Sequence, residues 1–221
     1  GDSHQRIYRN KVVLSKCGIN VRGRSYTLKI NYRTTEETRA WAFRLLNGIK
    51  FDDLDEGVDD GKGYKSLVHG PEPVMENFSD LQQEVNFIAN KINELRKENI
   101  DINNICLVAR TDKQLGIYAD LLKEKDIKTY KIKRTEAEDR YLDGVRIATM
   151  HRVKGLEFDY VFLVGINQGI VPLKRIVDEA TDNVAKRERL TGERSLLYVA
   201  ATRAKKAIFV SSYGIKSEFL D

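Results

Sequence analysis

Short apolar runs alternate with amphipathic helical patterns along most of the chain, and this alternation constrains the fold more than any other feature. Strands that alternate with helices indicate βαβ units and a mostly parallel sheet. We therefore expect an α/β protein whose parallel sheet is flanked by helices. The strand-like runs are Tyr26–Ile30, Asn104–Arg110, Val145–Thr149, Asp159–Gly165 and Ala207–Ser211.

Capping residues and charge runs locate helices and loops between these strands. Thr34 and Glu37 have the spacing of a capping box, and Ser79-Asp80 precedes a longer apolar stripe. The acidic, Gly-rich residues 52–63 are typical of a loop or linker. The Arg/Glu-rich stretch Glu179–Arg194 is expected to be a solvated helix or loop. The predicted core face of the first helix consists of Trp41, Ala42, Leu45 and Leu46.

Composition excludes several classes of protein. No apolar run approaches the roughly 20 residues of a membrane helix, and the first residues lack the apolar stretch of a signal peptide. Cys17 and Cys106 form neither a zinc pattern nor a disulfide framework, which fits the reducing cytoplasm. The 38 Lys and Arg residues against 33 Asp and Glu give a net charge of +5, which permits a nucleic-acid partner without requiring one.

Ligands bind at the carboxyl ends of parallel strands, and this rule indicates three polar segments as candidate ligand sites. They lie after Ile30, after Thr149 and at the end of the helix before Ala207. The second segment has the sequence TMHRVKGLEF and carries a hydroxyl, an imidazole, an ammonium group, a glycine and a carboxylate. The first three groups can hold a phosphodiester and the carboxylate can accept from a sugar hydroxyl. An ordinary polar connection between two strands explains the same residues.

The other two segments carry arginines beside groups that suit a nucleotide. Arg203 comes at a helix end, where its planar fork can bind a phosphoryl group or merely complement the helix dipole as a surface charge. In KINYRT, the ring of Tyr32 can stack on a base and Arg33 can reach the phosphates of that nucleotide. Arg203 can therefore act in catalysis or serve only as a surface charge.

Four motifs in family order resemble those of superfamily 1 helicases of the UvrD/Rep/PcrA type. GDSHQRIY resembles the third motif, NYRT the fourth, TMHRVKGLEF the fifth and ERSLLYVAATRAKK the sixth. The resemblance spans residues 1 to 205 and implies a C-terminal fragment of a longer helicase. It assigns residues 1–24 to the end of the first RecA-like domain and a connector, and residues 25–221 to the second RecA-like domain.

The resemblance also implies a mechanism and the residues that serve it. ATP and Mg²⁺ bind between two RecA-like domains, whose closure and opening move the protein 3′ to 5′ along single-stranded DNA. The implied nucleotide contacts are Gln5, which senses the γ-phosphate or its attacking water, Arg33 at the γ-phosphate, the arginine finger Arg203, Tyr32 on the adenine, Glu157 on the ribose, and Gly155. The implied DNA contacts are Tyr8, stacked on a base, with Thr149, His151 and Lys154 on the backbone.

The sequence departs from a complete helicase in its nucleotide motifs and in the length between its fourth and fifth motifs. It contains no GxxxxGK[ST] loop and no apolar strand that ends in Asp-Glu, so the phosphate cradle and the magnesium ligands are expected from the N-terminal RecA-like domain of the same parent. We expect no metal site in this chain, no membrane partner, and no activity from it alone. About 110 residues separate Arg33 from Val145, which predicts little or no inserted subdomain. The alternative function is a degenerate, non-hydrolysing domain that binds nucleic acid or a protein.

Overall fold

The computed structural model describes residues 30–49, 51–52, 58–59, 64–133 and 142–220. The strands are β1 (Ile30–Asn31), β2 (Phe51–Asp52), β3 (Val58–Asp59), β4 (Lys65–Ser66), β5 (Val74–Phe78), β6 (Ile105–Ala109), β7 (Thr129–Lys131), β8 (Val145–Thr149), β9 (Phe158–Leu163) and β10 (Ala204–Tyr213). The helices are α1 (Glu36–Arg44), α2 (Leu81–Lys97), α3 (Asp112–Lys123), α4 (Lys174–Asp178) and α5 (Asn183–Ala201), with short 3-10 helices at Ile102–Asn104 and Glu218–Leu220.

Six of the strands form one parallel sheet, which confirms the predicted α/β fold. Their spatial order is β5-β10-β9-β6-β8-β7, and every neighbouring pair is parallel. Side chains of the central strand β6 alternate between two buried clusters, as the period of a strand requires. Cys106 and Val108 pack with α1 and α5, whereas Ile105 and Leu107 pack with α2 and α3. Helices therefore cover both faces of the sheet.

The helix starts agree with the sequence in one case and differ in another. Asp80 caps α2 as predicted, since its carboxylate accepts from the backbone N of Gln83 at 2.9 Å. The capping box at Thr34 is wrong by one residue, because Thr35 caps α1 through the backbone N of Thr38. Glu37 cannot complete the predicted box because its carboxylate instead accepts from the backbone N of Gly70 at 2.8 Å. The predicted core face is confirmed, although Leu45 and Leu46 lie just past the helix end.

Several elements lie outside the predicted set or outside the described residues. The strands β5 and β7 are absent from the sequence prediction, since β5 has a mostly exposed pattern and β7 has only three residues. Within the predicted acidic loop, β2 and β3 pair antiparallel, and residues 53–57 and 60–63 are not described. Residues 132–144 join β7 to β8. The predicted boundary between residues 24 and 25 lies outside the described residues, so the domain division stays a prediction.

The candidate residues lie at opposite ends of the parallel strands. We call the side of the sheet where the strands end the carboxyl edge, and the side where they begin the amino edge. Thr149 ends β8 at the carboxyl edge, while Glu157 and Arg203 directly precede β9 and β10 at the amino edge. Ala204 and Phe158 are register partners at that amino edge. The expectation that all three polar segments lie at carboxyl ends is therefore wrong for Arg203 and Glu157, because α5 and the segment after β8 both run back along the sheet. A strand of this length spans roughly 20 Å.

No helix in the described part of the chain is long and apolar enough to cross a membrane. The same part of the chain contains no cluster of three or more His, Cys, Asp or Glu side chains that could hold a metal ion.

Candidate nucleotide and nucleic-acid sites

Arg33 and Glu157 are distant in sequence and form an ion pair in the structure. The Arg33 Nε contacts the Glu157 Oε1, and both side chains remain partly exposed to solvent. Arg33 follows β1 and Glu157 precedes β9. A guanidinium suits a phosphate and a carboxylate suits a sugar hydroxyl. The pair therefore places side by side one group suited to a phosphate and one suited to a sugar hydroxyl.

The backbone that presents Arg33 is fixed by neighbouring polar groups. The Asn31 Oδ1 accepts from the backbone N of Arg33 at 2.8 Å, which closes a turn directly after β1. The backbone N of Ser66 in β4 donates to Glu36 at 2.6 Å. The hydrogen bond from Arg39 lowers the pKa of Glu36 to about 2, so this acceptor is ionised at neutral pH. The turn is thus tied to both β4 and α1.

Tyr32 lies between these anchored residues and is 71% exposed. A tyrosine ring in solvent offers a face on which a base can stack. Its predicted role as a base contact stays a prediction. We call Tyr32, Arg33, Glu157 and Arg203 the amino-edge cluster.

Arg203 is the one member of the amino-edge cluster whose side chain is buried, with 1% exposure. Its Nε donates to the carbonyl of Val199 at 2.9 Å, and its Nη2 donates to the hydroxyl of Thr202 at 3.1 Å. Its Nη1 lies 3.5 Å from the carbonyl of Leu156. The guanidinium therefore links the end of α5 to the segment that carries Glu157. The predicted alternative of an exposed surface charge is wrong for this residue.

Gly155 occupies the turn before Glu157 with a φ of +88°. An added Cβ would meet no atom within 4 Å, so glycine is required here by backbone conformation and not by space. The surrounding open space leaves this backbone accessible to a ligand.

A groove of about 560 Å³ lies at the carboxyl edge and contains all three described residues predicted to hold the DNA backbone. We call it the carboxyl-edge groove. Four cationic side chains and one carboxylate contribute to its wall, which gives the groove a net positive charge. Its lining residues are Asp112, Leu115, Lys131, Ile132, Lys133, Thr149, His151, Arg152 and Lys154.

The segment after β8 is shaped by alternating buried and accessible side chains. Met150 and Val153 are fully buried, and the backbone N of Met150 donates to the carbonyl of Ala109 at 3.0 Å. Burial of these two anchors turns His151 and Lys154 toward the groove. The Arg152 Nε also donates to the carbonyl of Lys133 at 2.9 Å. The groove wall is therefore held by both the core and the residues after β7.

A buried ion pair stands behind the carboxyl-edge groove. Arg110 follows β6 and makes two hydrogen bonds of 2.9 and 2.7 Å to Glu193 of α5, and both side chains are 6% exposed. Glu193 also accepts from the backbone N of Leu173 at 3.0 Å. The stretch Glu179–Arg194 is exposed or half-buried and largely helical, as predicted, and Glu193 is the exception because its carboxylate is buried and neutralised by Arg110. Burial and the nearby charge of Arg110 hold the pKa of His151 below its usual value.

The described residues that were predicted to form the sites lie in two groups, at the amino edge and in the carboxyl-edge groove. Gln5 and Tyr8 lie outside the described residues, so their roles stay predictions. Sequence reasoning missed Lys131, Lys133 and Arg152 of the groove. The signal that could have found the two lysines is the carboxyl end of β7, which is too short to be recognised from periodicity.

Comparison with known proteins gives a consistent family. The model of the UvrD-like helicase C-terminal domain matches residues 26–137 and 120–214. A probable DNA helicase II homolog of Rickettsia conorii is 42% identical over 74 residues, which cover 34% of this chain and 11% of that protein. The ATP-dependent DNA helicase Rep of Escherichia coli is 42% identical over 77 residues, which cover 35% of this chain and 10% of the helicase. The chain thus matches only about a tenth of the length of these relatives.

A solved structure supports the fold independently. The crystal structure of the C-terminal domain of a possible DNA helicase from Lactobacillus plantarum WCFS1 aligns with a TM-score of 0.59 at 17% identity. The alignment covers 86% of this chain and 92% of that structure.

Proposed function

The chain belongs to the UvrD-like helicase C-terminal domain family, and we propose that it is the second motor domain of an ATP-dependent DNA helicase or translocase that moves 3′ to 5′ along one strand. Its partner in this proposal is an N-terminal RecA-like domain of the same parent protein. The observation that carries the proposal is the meeting of Arg33 and Glu157, which come from two separate motifs.

The amino-edge cluster supplies the nucleotide contacts in this proposal. Arg33 binds the γ-phosphate, Glu157 accepts from the ribose hydroxyl and Tyr32 stacks on the adenine. Because Arg33 and Glu157 contact each other in the structure, nucleotide binding exchanges their ion pair for two contacts of matched charge. Arg203 acts as the arginine finger, and to do so it gives up its hydrogen bond to the carbonyl of Val199.

The carboxyl-edge groove supplies the contacts to single-stranded DNA. The hydroxyl of Thr149 and the imidazole of His151 hydrogen-bond phosphate oxygens, and Lys154 adds a point charge. These contacts carry no base information, which suits a motor that must move along any sequence.

The segment from Thr149 to Glu157 connects the two sites. It begins at the DNA contacts, passes Gly155 and ends at the ribose contact, so the two ligands act on one short piece of backbone. A shift of Lys154 with the DNA strand is transmitted through few bonds to Glu157. This provides a direct route by which nucleotide state and grip on the strand can be coupled.

The phosphate cradle and the Mg²⁺ ligands belong to the N-terminal domain in this proposal. The described part of the chain offers no cluster of acidic and histidine side chains that fits a Mg²⁺ site. Magnesium and the phosphate loop, when present, neutralise the charge of the phosphates. This chain contributes the arginines, the ribose contact and the adenine platform.

The test for the nucleotide role uses the full-length parent protein with Arg33→Ala. ATP turnover in the presence of single-stranded DNA should fall on the order of 10³-fold, since each such arginine stabilises transition-state charge. DNA affinity without nucleotide should be unchanged. Lys65→Ala is the control, because Lys65 is an exposed cation on β4, the strand that pairs with β1. Equal turnover in the Arg33 and Lys65 variants would contradict the proposal.

The purified chain alone should not hydrolyse ATP with Mg²⁺. Turnover that follows the protein through purification and disappears on Arg203→Ala would show that this chain contains a complete active site, against the division of roles proposed here.

A degenerate domain that binds nucleic acid without hydrolysis is the second candidate. The complete burial of Arg203 favours it, because a guanidinium held by Val199 and Thr202 can serve the fold alone. The two candidates differ in the parent's response to ATP. The motor requires turnover that depends on Arg203, whereas the degenerate domain binds DNA with the same affinity at every ATP concentration.

A further inference from the structure

One carboxylate stands among the cations of the carboxyl-edge groove. Asp112 is the third residue after Ala109, the last residue of β6, and its Oδ2 lies 2.7 Å from the Nζ of Lys131. Asp112 is 69% exposed and Lys131 is 45% exposed. Both line the groove with Thr149 and His151. A negative charge at this position faces the same space that a phosphate backbone would fill.

The proposed DNA contacts account for only part of the groove. Lys131 and Lys133 come from the end of the edge strand β7, and Arg152 bridges them to the segment after β8 through the carbonyl of Lys133. These three cations extend the positively charged wall from Lys154 to β7, the outermost strand of the sheet. A phosphodiester chain that contacts Thr149 and His151 can continue along this wall.

We infer that the groove binds the backbone of single-stranded DNA through Lys131, Lys133 and Arg152 in addition to the family motif residues, and that Asp112 limits this affinity by pairing with Lys131. The inference rests on the proposed DNA-binding function of the same groove. Asp112 weakens binding in two ways, since it repels phosphate directly and neutralises the cation beside it. A motor that must release each nucleotide it grips gains from such a limit.

A matched pair elsewhere on the surface separates this effect from overall charge. Lys91 and Glu94 of α2 also form an exposed pair at 2.7 Å, in a helix that packs on the sheet away from the groove. Asp112→Asn and Glu94→Gln each remove one negative charge and release one lysine. Only Asp112→Asn does so inside the groove.

The experiment measures fluorescence anisotropy of a labelled oligo(dT) with the purified chain at several salt concentrations. Asp112→Asn should tighten binding about threefold to tenfold at low salt. The slope of log affinity against log salt should steepen by about 0.7, the value for one added phosphate contact on a single strand. Glu94→Gln should change affinity less than about twofold and leave the slope unchanged.

A double-mutant cycle then tests the role of Lys131. If Asp112 acts by neutralising Lys131, most of the gain from Asp112→Asn disappears in the Lys131→Ala background. Lys131→Ala alone should weaken binding more than Lys91→Ala does. Fluorescence anisotropy does not distinguish a lost contact from a lost fold. The circular-dichroism spectrum of each variant is therefore compared with that of the wild type.

The outcomes distinguish the inference from the function on which it rests. If the wild type binds oligo(dT) and the Asp112 and Glu94 variants respond equally, the inference fails and the DNA-binding proposal survives. Weaker binding by Asp112→Asn also overturns the inference, since the carboxylate would then be a contact. If no variant binds oligo(dT) at any salt concentration, both are refuted.

Discussion

The two edges of the parallel sheet differ in how their charges are satisfied. At the carboxyl edge, four cationic side chains line a groove of about 560 Å³. At the amino edge, Arg33 contacts Glu157 and the guanidinium of Arg203 is directed at backbone carbonyls. In the proposed function, a nucleotide at the amino edge would replace the Arg33–Glu157 contact, and a phosphate in the groove would compete with Asp112 for Lys131.

In the proposed function, DNA binding and nucleotide binding therefore have separate energetic costs. Binding in the groove displaces solvent and counterions, which makes it steeply dependent on salt. Binding at the amino edge also breaks an exposed ion pair and withdraws a buried arginine from its hydrogen bonds. We expect the second process to need the additional contacts of a partner domain.

The largest expected effect is a loss of ATP turnover caused by a substitution in the amino-edge cluster. Arg203→Ala in the full-length protein should reduce DNA-stimulated ATP turnover on the order of 10³-fold, with DNA affinity unchanged. The control is Arg194→Ala, since Arg194 lies in α5, which ends two residues before Arg203, and also donates to a backbone carbonyl, that of Leu45 at 3.0 Å. If both variants lose the same activity, or if both lose DNA binding, Arg203 serves the fold and not the nucleotide.

The next effect contrasts the buried and the exposed ion pair. Glu193→Gln should destabilise the chain by about 3 kcal/mol, because it leaves the buried Arg110 without its countercharge. Glu157→Gln should cost less than about 1 kcal/mol, since its pair with Arg33 is exposed. Urea denaturation of the purified chain measures both. Equal losses in the free energy of unfolding would contradict the expectation that the buried Arg110–Glu193 pair stabilises the chain more than the exposed Arg33–Glu157 pair.

A smaller effect concerns pH and the carboxyl-edge groove. Burial and the charge of Arg110 place the pKa of His151 below 6.5, so the imidazole is neutral at pH 7 and gains its charge only at lower pH. Affinity for oligo(dT) should therefore be constant from pH 8 to pH 7 and rise about threefold toward pH 5, because protonation adds a positive charge to the proposed phosphate contact of His151.

The matched substitutions for this pH effect are His151→Asn and His69→Asn. His151→Asn should abolish the rise, and His69→Asn should retain it, since His69 pairs with Glu37 near α1. A rise centred above pH 7, or one that survives His151→Asn, would contradict the placement of His151 in the groove.

The fold was predictable because its signal is local. Apolar runs of five or six residues located β6, β8 and β9, and the cap at Asp80 located α2. The strand β7 escaped prediction because three residues carry no period, and with it the two lysines at its end were missed.

The sequence indicated candidate site residues and not their arrangement. Motifs named Arg33, Glu157 and Arg203, but their common place at the amino edge depends on the direction in which α5 and the segment after β8 return along the sheet. Glu193 looked solvated because charge within a stretch is visible in sequence, while its partner Arg110 is brought close only by the tertiary fold.

The central claim is that one short segment carries a DNA contact at one end and a nucleotide contact at the other. It is tested most directly by Lys154→Ala and Glu157→Gln, two changes three positions apart, in the full-length protein. Steady-state ATP turnover is measured against DNA concentration and against ATP concentration. Lys154→Ala should raise the DNA concentration for half-maximal turnover about fivefold, with the same turnover at saturating DNA. Glu157→Gln should raise the KM for ATP and leave the DNA requirement unchanged. If both variants shift the same parameter, the two-edge division of this domain is contradicted.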